Sequence, residues 1–181
     1  MLTTQLESMP TSEKELFKLA QSGDPAALEV ILKSQSRKML AWSTGITGSL
    51  ADAEDICQDV LMKLLKSLKS MKSFTHFEAW IRKAIYHRSL NYMRDQKRKM
   101  VLVNSYRSNQ NQSATIEKKA FTDILRLLTP RERAAILFIH GEGYASKEAA
   151  KIMNCSAGTV RALCRKAREK VKNHFKREIA E

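Results

Sequence analysis

Residues 127–171 read LLTPRERAAILFIHGEGYASKEAAKIMNCSAGTVRALCRKAREKV, and this stretch decides the fold class of the chain. Its first residues, Thr-Pro-Arg-Glu at 129–132, place a capping Thr, a Pro at the first helical position and a Glu at the third, which predicts a helix start. The Gly-Glu-Gly at 141–143 predicts a turn, and Ser156 predicts the cap of another helix. We therefore expect three short helices, at Arg131 to His140, Ser146 to Met153 and Ala157 to about Lys176.

The last two of these helices have the length and short connection of a helix-turn-helix, whose second helix enters the major groove of DNA. Apolar residues recur on one side of that second helix and predict a buried face at Val160, Leu163, Ala167 and Val171. Basic residues fill the remaining surface. DNA contact is one interpretation of this surface, and an ordinary solvated basic face is the alternative.

The sequence before residue 100 predicts four more helices. A Ser-x-x-Glu box at 12–15 starts the first helix and Gly23 ends it, while Asp24 and Pro25 start the second. A loop with Gly45 and Gly48 is expected next. Two amphipathic helices should follow, one at Asp52 to Ser70 and one at about His76 to Lys99, the latter opened by a Thr75 to Glu78 box with Trp80 in the core.

Residues between Met100 and Lys119 lose the helical period and are rich in Ser, Asn and Gln, which is typical of an exposed connector. Helix formers dominate elsewhere, with only 6 Gly and 3 Pro. We therefore predict an all-α protein with two small helical domains, 1–100 and 121–181, joined by a flexible linker at 101–120.

The charge of the chain is unevenly distributed. It has 32 Lys and Arg against 19 Asp and Glu, for a net charge of +13. Residues 1–60 are acidic, with 9 acidic against 5 basic side chains, whereas 80–100 have 7 basic against 1 acidic and 125–181 have 13 against 6. Two basic blocks behind an acidic start favour a polyanionic partner, for which nucleic acid is the first expectation.

The three cysteines, Cys57, Cys155 and Cys164, are odd in number and lack the Cys-x-x-Cys spacing of a metal site, which favours a reducing compartment. The first residues lack the apolar segment of a signal peptide, and no stretch is apolar for some 18 residues. We expect a cytoplasmic protein without direct membrane insertion. No partners at metal-ligand spacing accompany His76, His140 or His174, so neither a metal nor a cofactor is expected.

The stretch at 127–171 resembles the C-terminal domain of sigma-70-type factors, above all in Ser-Ala-Gly-Thr-Val-Arg at 156–161 and Arg-Lys-Ala-Arg at 165–168. Related DNA-binding domains of response regulators share this pattern. In the sigma family this domain reads the minus-35 promoter element. The resemblance therefore implies minus-35 contacts from Ser156, Thr159, Arg161, Ala162, Arg165, Arg168 and Lys172. Near the helix start, where a recognition helix presents side chains to base edges, lie Thr159, Arg161, Ala162 and Arg165, and phosphate contacts are expected from Arg168 and Lys172.

Residues 12–98 are similar to sigma region 2, notably in ADAEDICQDVLMKLLKS at 51–67 and FEAWIRKAIYHRSLNYMRDQKRK at 77–99. Regions 1.1 and 3 have no counterpart, which is the arrangement of the extracytoplasmic-function (ECF) group. The resemblance implies an alternative sigma factor, which is not an enzyme and takes no small-molecule substrate. Its implied partners are promoter DNA, the clamp helices and flap of bacterial RNA polymerase core, and, as in many ECF factors, an anti-sigma factor.

The acidic start of the third predicted helix has a physical and a family interpretation. Carboxylates in a first turn compensate the helix dipole, and a solvated acidic face would need no further role. Gln58 and Asp59 lie beyond that turn, however. In the family the matching segment docks on the clamp helices, which implies polymerase binding by Asp52, Glu54, Asp55, Gln58 and Asp59.

Promoter opening needs a surface that stacks an unpaired base and a cationic track for the displaced strand. Aromatic and basic residues interleave between Phe74 and Lys99. We expect minus-10 contacts from the loop before Phe77 and from an exposed face with Lys83, Tyr86, His87, Arg88, Asn91, Arg94, Lys97 and Arg98. His87 and Asn91 stand where the family usually has Asn and Asp, so the base preference at minus-10 is not predicted.

Two other classes of function compete with this interpretation. A polymerase-independent helix-turn-helix regulator would need a dimer face or ligand pocket in its N-terminal part. A nuclease would need carboxylates gathered around a metal or a nucleophile with its base, and the one acidic cluster, at 52–59, has no such companions. The acidic helix start followed by an aromatic and basic helix favours the sigma factor.

Overall fold

A computed structural model describes residues 12–103 and 124–178, and every regular element in these two ranges is helical. The first range contains α1 Glu13–Ser22, α2 Pro25–Thr47, α3 Leu50–Ser67 with a 3-10 turn at Leu68–Ser70, and α4 Phe74–Val103. The second contains four helical residues at 124–127, then α5 Pro130–Ile136 with a π-helical extension at Leu137–Gly141, α6 Ser146–Met153 and α7 Ala157–Glu178. The all-α prediction is confirmed.

The helix starts follow the capping chemistry of the sequence. Ser12 and Asp24 accept backbone N–H groups at the starts of α1 and α2, and Gly23 ends α1 in the left-handed region. Thr129 and Glu132 form the predicted capping box of α5, with each side chain accepting the other residue's backbone N–H. These local bonds satisfy N–H groups that have no partner within the helix, so they fix where each helix begins.

Three predicted boundaries are wrong. Gly45 lies inside α2, not in a loop, because the buried Ile46 and Thr47 continue the helix to Gly48, whose φ of 80° ends it. The α4 helix begins at Phe74, because Ser73 accepts the backbone N–H at position 76 (3.1 Å) and thus caps the helix before the predicted box. The same helix continues to Val103, past its predicted end.

Helices α1 to α4 enclose one apolar core. Phe17 packs against Phe77, with ring centroids 5.2 Å apart, and Phe77 is stacked with Phe74 at 5.8 Å. Trp80 is partly buried against this core, as its assignment to the core predicts. The remaining fully buried contributors include Ile31, Met39, Ile56, Leu64, Ile81 and Ile85. This core holds the acidic start of α3 and the basic length of α4 in fixed relation.

A second core joins the C-terminal helices to α2 and α4. Ile46 of α2 and Tyr86 of α4 lie in one buried cluster with Phe138, Met153 and Val160. The two predicted domains therefore pack against each other. The predicted linker lies outside the described residues from position 104 onward.

Candidate nucleic-acid interface

The α6 and α7 helices form a helix-turn-helix. Asn154, in the left-handed region at φ 48°, ends α6, and Ser156 caps α7 by accepting the backbone N–H of Thr159 at 3.0 Å. Val160 and Ala167 of α7 are buried, as predicted, together with Cys164. The packing leaves the opposite side of α7 facing solvent, which is the side that a recognition helix presents to the major groove.

The predicted minus-35 residues share this solvent-facing side. All of them are exposed except Ala162, which is partly buried; the exposed ones are Ser156, Thr159, Arg161, Arg165, Arg168 and Lys172. The guanidinium of Arg165 is 3.9 Å from Glu169 one turn later, and its side chain remains 73% exposed. A weak, exposed pair of this kind leaves the guanidinium available to a base edge or a phosphate.

A buried carboxylate of α5 anchors the far half of α7. Glu132 accepts from Lys170 Nζ at 2.7 Å and from the Thr129 backbone at 2.8 Å. Burial raises the pKa of Glu132, but the hydrogen bonds from Lys170 and Thr129 outweigh it and hold the pKa below its usual value. Sequence reasoning missed this pair because its partners are 38 residues apart.

The structure divides the predicted polymerase-binding residues into two groups. Glu54, Asp55 and Gln58 are exposed on α3. Asp52 is partly buried and accepts from the hydroxyl of Tyr92 on α4 at 2.8 Å, and Asp59 accepts from Arg88 on α4, at 2.7 Å from Nε. Two of the five residues thus also hold α3 against α4.

Two exposed apolar side chains continue the acidic face, and the sequence analysis missed them. Met62 is 59% exposed and Leu65 is 44% exposed. Met62 follows Gln58 by four residues and Leu65 follows Met62 by three, so all three side chains lie on one side of α3. This helical spacing is the sequence signal that could have found them.

The face of α4 that is predicted to contact the minus-10 element is largely open to solvent. Lys83, Asn91, Arg94, Lys97 and Arg98 are exposed, and His87 and Arg88 are partly so. The expectation that Tyr86 belongs to this exposed face is wrong for the described conformation, because the tyrosine is only 1% exposed. Its ring meets the edge of Phe138 from the π-helical extension of α5, with centroids 6.2 Å apart. Burial accordingly raises the pKa of Tyr86.

A cleft of about 770 Å³ lies beside Tyr86, between α4 and the C-terminal helices. Leu90 and Met93 contribute apolar surface, and Arg94, Lys97 and Arg131 contribute positive charge. His87 also lines the cleft, and burial, aided by the nearby charge of Lys83, lowers its pKa and thus favours the neutral imidazole.

Within 12–103 and 124–178 no group of three or more His, Cys, Asp or Glu side chains is arranged to hold a metal ion. None of the helices in those ranges combines the length and the apolar character needed to cross a bilayer.

Comparison with known proteins identifies both parts of the chain. Residues 32–99 match the family model of "Sigma-70 region 2", and residues 118–171 match that of "Sigma-70, region 4". The ECF RNA polymerase sigma factor EcfG of Rhodopseudomonas palustris is 23% identical over 136 residues, covering 72% of this chain and 75% of the relative. The ECF sigma factor SigM of Mycobacterium tuberculosis is 22% identical over 166 residues, with 88% and 83% covered.

Solved structures share the fold. The sigma factor RpoE of Bartonella quintana, in complex with the anti-sigma factor NepR, superposes with a TM-score of 0.67 at 22% identity, covering 82% of this chain and 96% of RpoE. CnrH, in complex with the cytosolic domain of CnrY, gives a TM-score of 0.64 at 22% identity, with 91% and 97% covered. These findings do not favour a polymerase-independent regulator. The chain belongs to the sigma-70 family, as an extracytoplasmic-function sigma factor.

Proposed function

We propose that this sigma factor divides its task between two domains, 1–100 and 121–181, joined by a linker at 101–120. The first would bind the clamp helices of core polymerase and the minus-10 element, and the second the minus-35 element and the polymerase flap. One observation carries the proposal: a single chain presents an exposed acidic helix start on α3 and an exposed basic helix, α7, on a helix-turn-helix.

Polymerase binding is assigned to Glu54, Asp55 and Gln58, with Asp52 and Asp59 at the same helix start. These side chains offer negative charge and hydrogen-bonding groups, and Glu54 and Asp55 are both exposed. Met62 and Leu65 extend this surface by two exposed apolar side chains. Protein interfaces commonly place such apolar anchors inside a polar rim.

Promoter contact is assigned to two basic surfaces. On α7, Arg161 and Arg165 lie within the first turns of the helix, where side chains reach base edges, and Arg168 and Lys172 lie further along for phosphate. On α4, the exposed Lys83, Arg94, Lys97 and Arg98 form a cationic track for the displaced strand, with His87, Arg88 and Asn91 assigned to the same element. The chain itself is proposed to catalyse no reaction and to work in the cytoplasm, beside polymerase.

We also propose an anti-sigma partner for this chain. RpoE and CnrH were solved in complexes with NepR and with the cytosolic domain of CnrY, respectively. The cleft beside Tyr86 combines apolar surface with three cationic side chains, a combination that suits an amphipathic helix with acidic residues. Native mass spectrometry of the chain isolated from its own cells should show a stoichiometric partner. When this partner is added to in vitro transcription with the chain and core polymerase, it should suppress transcript formation.

The decisive experiment is in vitro transcription with purified core polymerase, this chain and a library of genomic fragments. Core polymerase alone is the control. Defined transcripts that require the chain would support the proposal, and their start sites would identify the promoter sequence. Failure of the purified chain to associate with core polymerase would refute it.

A further inference from the structure

The side chain of Gln21 connects α1 to the segment between α3 and α4, residues 68–73, which we call the lysine loop. Its Nε2 donates to the carbonyl oxygen of Leu68 at 2.9 Å and to that of Met71 at 2.7 Å. A primary amide has two N–H donors, so each carbonyl receives one of them. These partners are 47 and 50 residues away in sequence, and the two bonds hold the backbone of the loop against α1.

The far end of the lysine loop is also held in place. Ser73 accepts the backbone N–H of His76 at 3.1 Å, and Nδ1 of His76 accepts the backbone N–H of Lys72 at 3.3 Å. The ring of Phe74, directly after the loop, lies 6.1 Å from the ring of Phe17 on α1, measured between centroids. A loop bound at both ends presents its exposed side chains in one arrangement, which lowers the entropy lost on binding a ligand.

Lysines recur through this part of the sequence without a carboxylate. Residues 60–77 contain lysines at positions 63, 66, 69 and 72 and no Asp or Glu. Lys69 lies in the 3-10 turn and Lys72 lies just before α4, and both are exposed. Among the residues that the structure describes, neither lysine belongs to an ion pair. Their charge is therefore available to an external anion.

Two lysines of α1 extend this charge. Lys14, Lys18 and Gln21 are spaced at i, i+4 and i+7, so they lie on one side of α1. Because Gln21 contacts the lysine loop, the two lysines lie on the side of α1 that adjoins the loop. Both are exposed, and within 12–103 and 124–178 neither forms an ion pair. The nearby Glu13 and Glu15 lie in the first turn, where the helix dipole favours carboxylates.

This arrangement suits a single strand better than a duplex. Its cations lie on two separate elements, a helix and a loop, and Phe74, a partly buried aromatic residue, follows directly. Cationic side chains beside an aromatic ring are typical of sites that bind single-stranded nucleic acid. A flexible strand can follow such a surface, whereas duplex DNA, with a persistence length of about 150 base pairs, resists bending onto it. Phe74 also begins α4, the helix proposed to carry the displaced strand.

We propose, on the basis of the proposed function above, that α1 and the lysine loop form a second contact site for the displaced DNA strand. Four lysines contact its phosphates, and we call them the four-lysine patch: Lys14, Lys18, Lys69 and Lys72. Gln21 is the positioning residue of this site, because it acts through the loop that it holds against α1. The strand thus continues from the cationic track of α4 onto the four-lysine patch.

Lysine footprinting of the full parent chain tests the site directly. An N-hydroxysuccinimide ester of acetate modifies exposed amines, and mass spectrometry compares their rates with and without a mixed-sequence single strand of about 20 nucleotides. The strand should slow acetylation of the four-lysine patch severalfold. Lys33 and Lys38, exposed on α2, should react equally in both samples. A duplex of the same sequence should protect the patch less than the single strand does.

Removal of charge from α1 gives the second test. Lys14→Gln/Lys18→Gln should reduce the salt slope of single-strand binding by about 1.4, because each phosphate contact contributes about 0.7. Fluorescence anisotropy at several salt concentrations measures this slope. The matched control, Lys33→Gln/Arg37→Gln, removes the same charge at the same four-residue spacing from exposed positions on α2 and should leave the slope unchanged.

Gln21→Met tests the positioning role without a change in net charge. The variant keeps the length of the side chain but loses both bonds to the loop. Lys69 and Lys72 should then lose their protection in the footprint, while Lys14 and Lys18 keep theirs. A purely structural role of Gln21 would lower the melting temperature and leave the footprint of all four lysines unaltered, which would refute the positioning role.

The site is refuted if the single strand leaves the four-lysine patch as reactive as Lys33, or if Lys14→Gln/Lys18→Gln and its control change the slope equally. Should circular dichroism show that Gln21→Met has lost helix, the footprint of the parent chain and the slope of Lys14→Gln/Lys18→Gln decide. Neither measurement involves polymerase or a promoter. A failure of this site is therefore distinguishable from a failure of the proposed function, which polymerase association tests.

Discussion

Arg88 donates from Nε to Asp59 at 2.7 Å, and this bond ties the helix proposed to contact promoter DNA to the helix proposed to bind polymerase. A second tie runs parallel to it, where the Tyr92 hydroxyl donates to Asp52 at 2.8 Å and itself accepts from Gln96. The two carboxylates stand seven residues apart on one side of α3, and their partners stand four apart on α4. The residues proposed to bind polymerase and those proposed to contact DNA are thus hydrogen-bonded to each other across one helix pair.

Replacing Asp59 with Asn should separate these roles. The Arg88 side chain is 28% exposed and that of Asp59 is 49% exposed, so the pair contributes only about 0–1 kcal/mol to folding and the variant should stay folded. Polymerase affinity should fall, while the released Arg88 should strengthen binding to single-stranded DNA, with a salt slope steeper by about 0.7. Fluorescence anisotropy at several salt concentrations measures this. The double variant Asp59→Asn/Arg88→Gln should not show this increase in affinity for single-stranded DNA. If the increase persisted in the double variant, Arg88 would not be its cause.

Replacing Asp55 and Gln58 together with Ala should weaken core polymerase binding without loss of folding, because both side chains are exposed and neither belongs to the core. Surface changes of this kind alter stability by less than about 0.5 kcal/mol each. Glu29→Ala, an exposed acidic position on α2, is the control. Affinity for core polymerase and circular dichroism are measured in parallel. If the double variant lost its helical circular dichroism signal, Asp55 and Gln58 would have a structural role instead.

Replacing Arg165 with Ala should weaken promoter binding by about 1–3 kcal/mol, roughly 5- to 150-fold, because a base-edge or phosphate contact is lost. Polymerase association should be unaffected, since Arg165 lies on α7 and the acidic start on α3. Gel-shift titration on a promoter found by transcription measures the first effect, with Lys38→Ala in α2 as a basic control. Equal loss of both activities would contradict the assignment.

The Glu132–Lys170 pair should make the stability of the C-terminal domain depend on pH. Because the pKa of Glu132 is lowered in the folded chain, its contribution is complete above the ordinary carboxyl pKa and is lost as the pH falls through the folded value. Lys170→Met should lower stability at pH 7 by about 1–2 kcal/mol, since Glu132 then keeps only its Thr129 donors. Urea unfolding at neutral and acid pH measures both. A pH-independent difference between parent and variant would refute the linkage.

The cysteines should differ sharply in reactivity. Burial raises the pKa of Cys57 to about 11 and also raises the pKa of Cys164, whereas Cys155 is partly exposed in the turn before α7. Iodoacetamide at mildly alkaline pH should therefore modify Cys155 first, because the thiolate is the reactive form. Mass spectrometry of digested protein gives the order. Rapid modification of Cys57 would show that the core around α3 opens in solution.

Sequence alone determined the local structure of this chain. Helix starts at Asp24 and Thr129, and the buried face of α7 at Val160 and Ala167, follow from capping groups and apolar spacing that act within a few residues. The motifs at 51–67 and 156–168 also identified the family. The predicted site residues, which rest on those motifs, remain assignments for experiment to test.

Tertiary structure decided the pairings between distant residues. Nothing near Tyr86 in the sequence indicates that Phe138 covers it, and nothing near Arg133 indicates that its acceptors are the carbonyls of Ile46 and Thr47, 87 and 86 residues away. Gly45 likewise resembled a loop residue, because its fit against Leu137 exists only once the domains pack. Local sequence patterns indicate which face of a helix is apolar, but only tertiary packing determines which residues that face contacts.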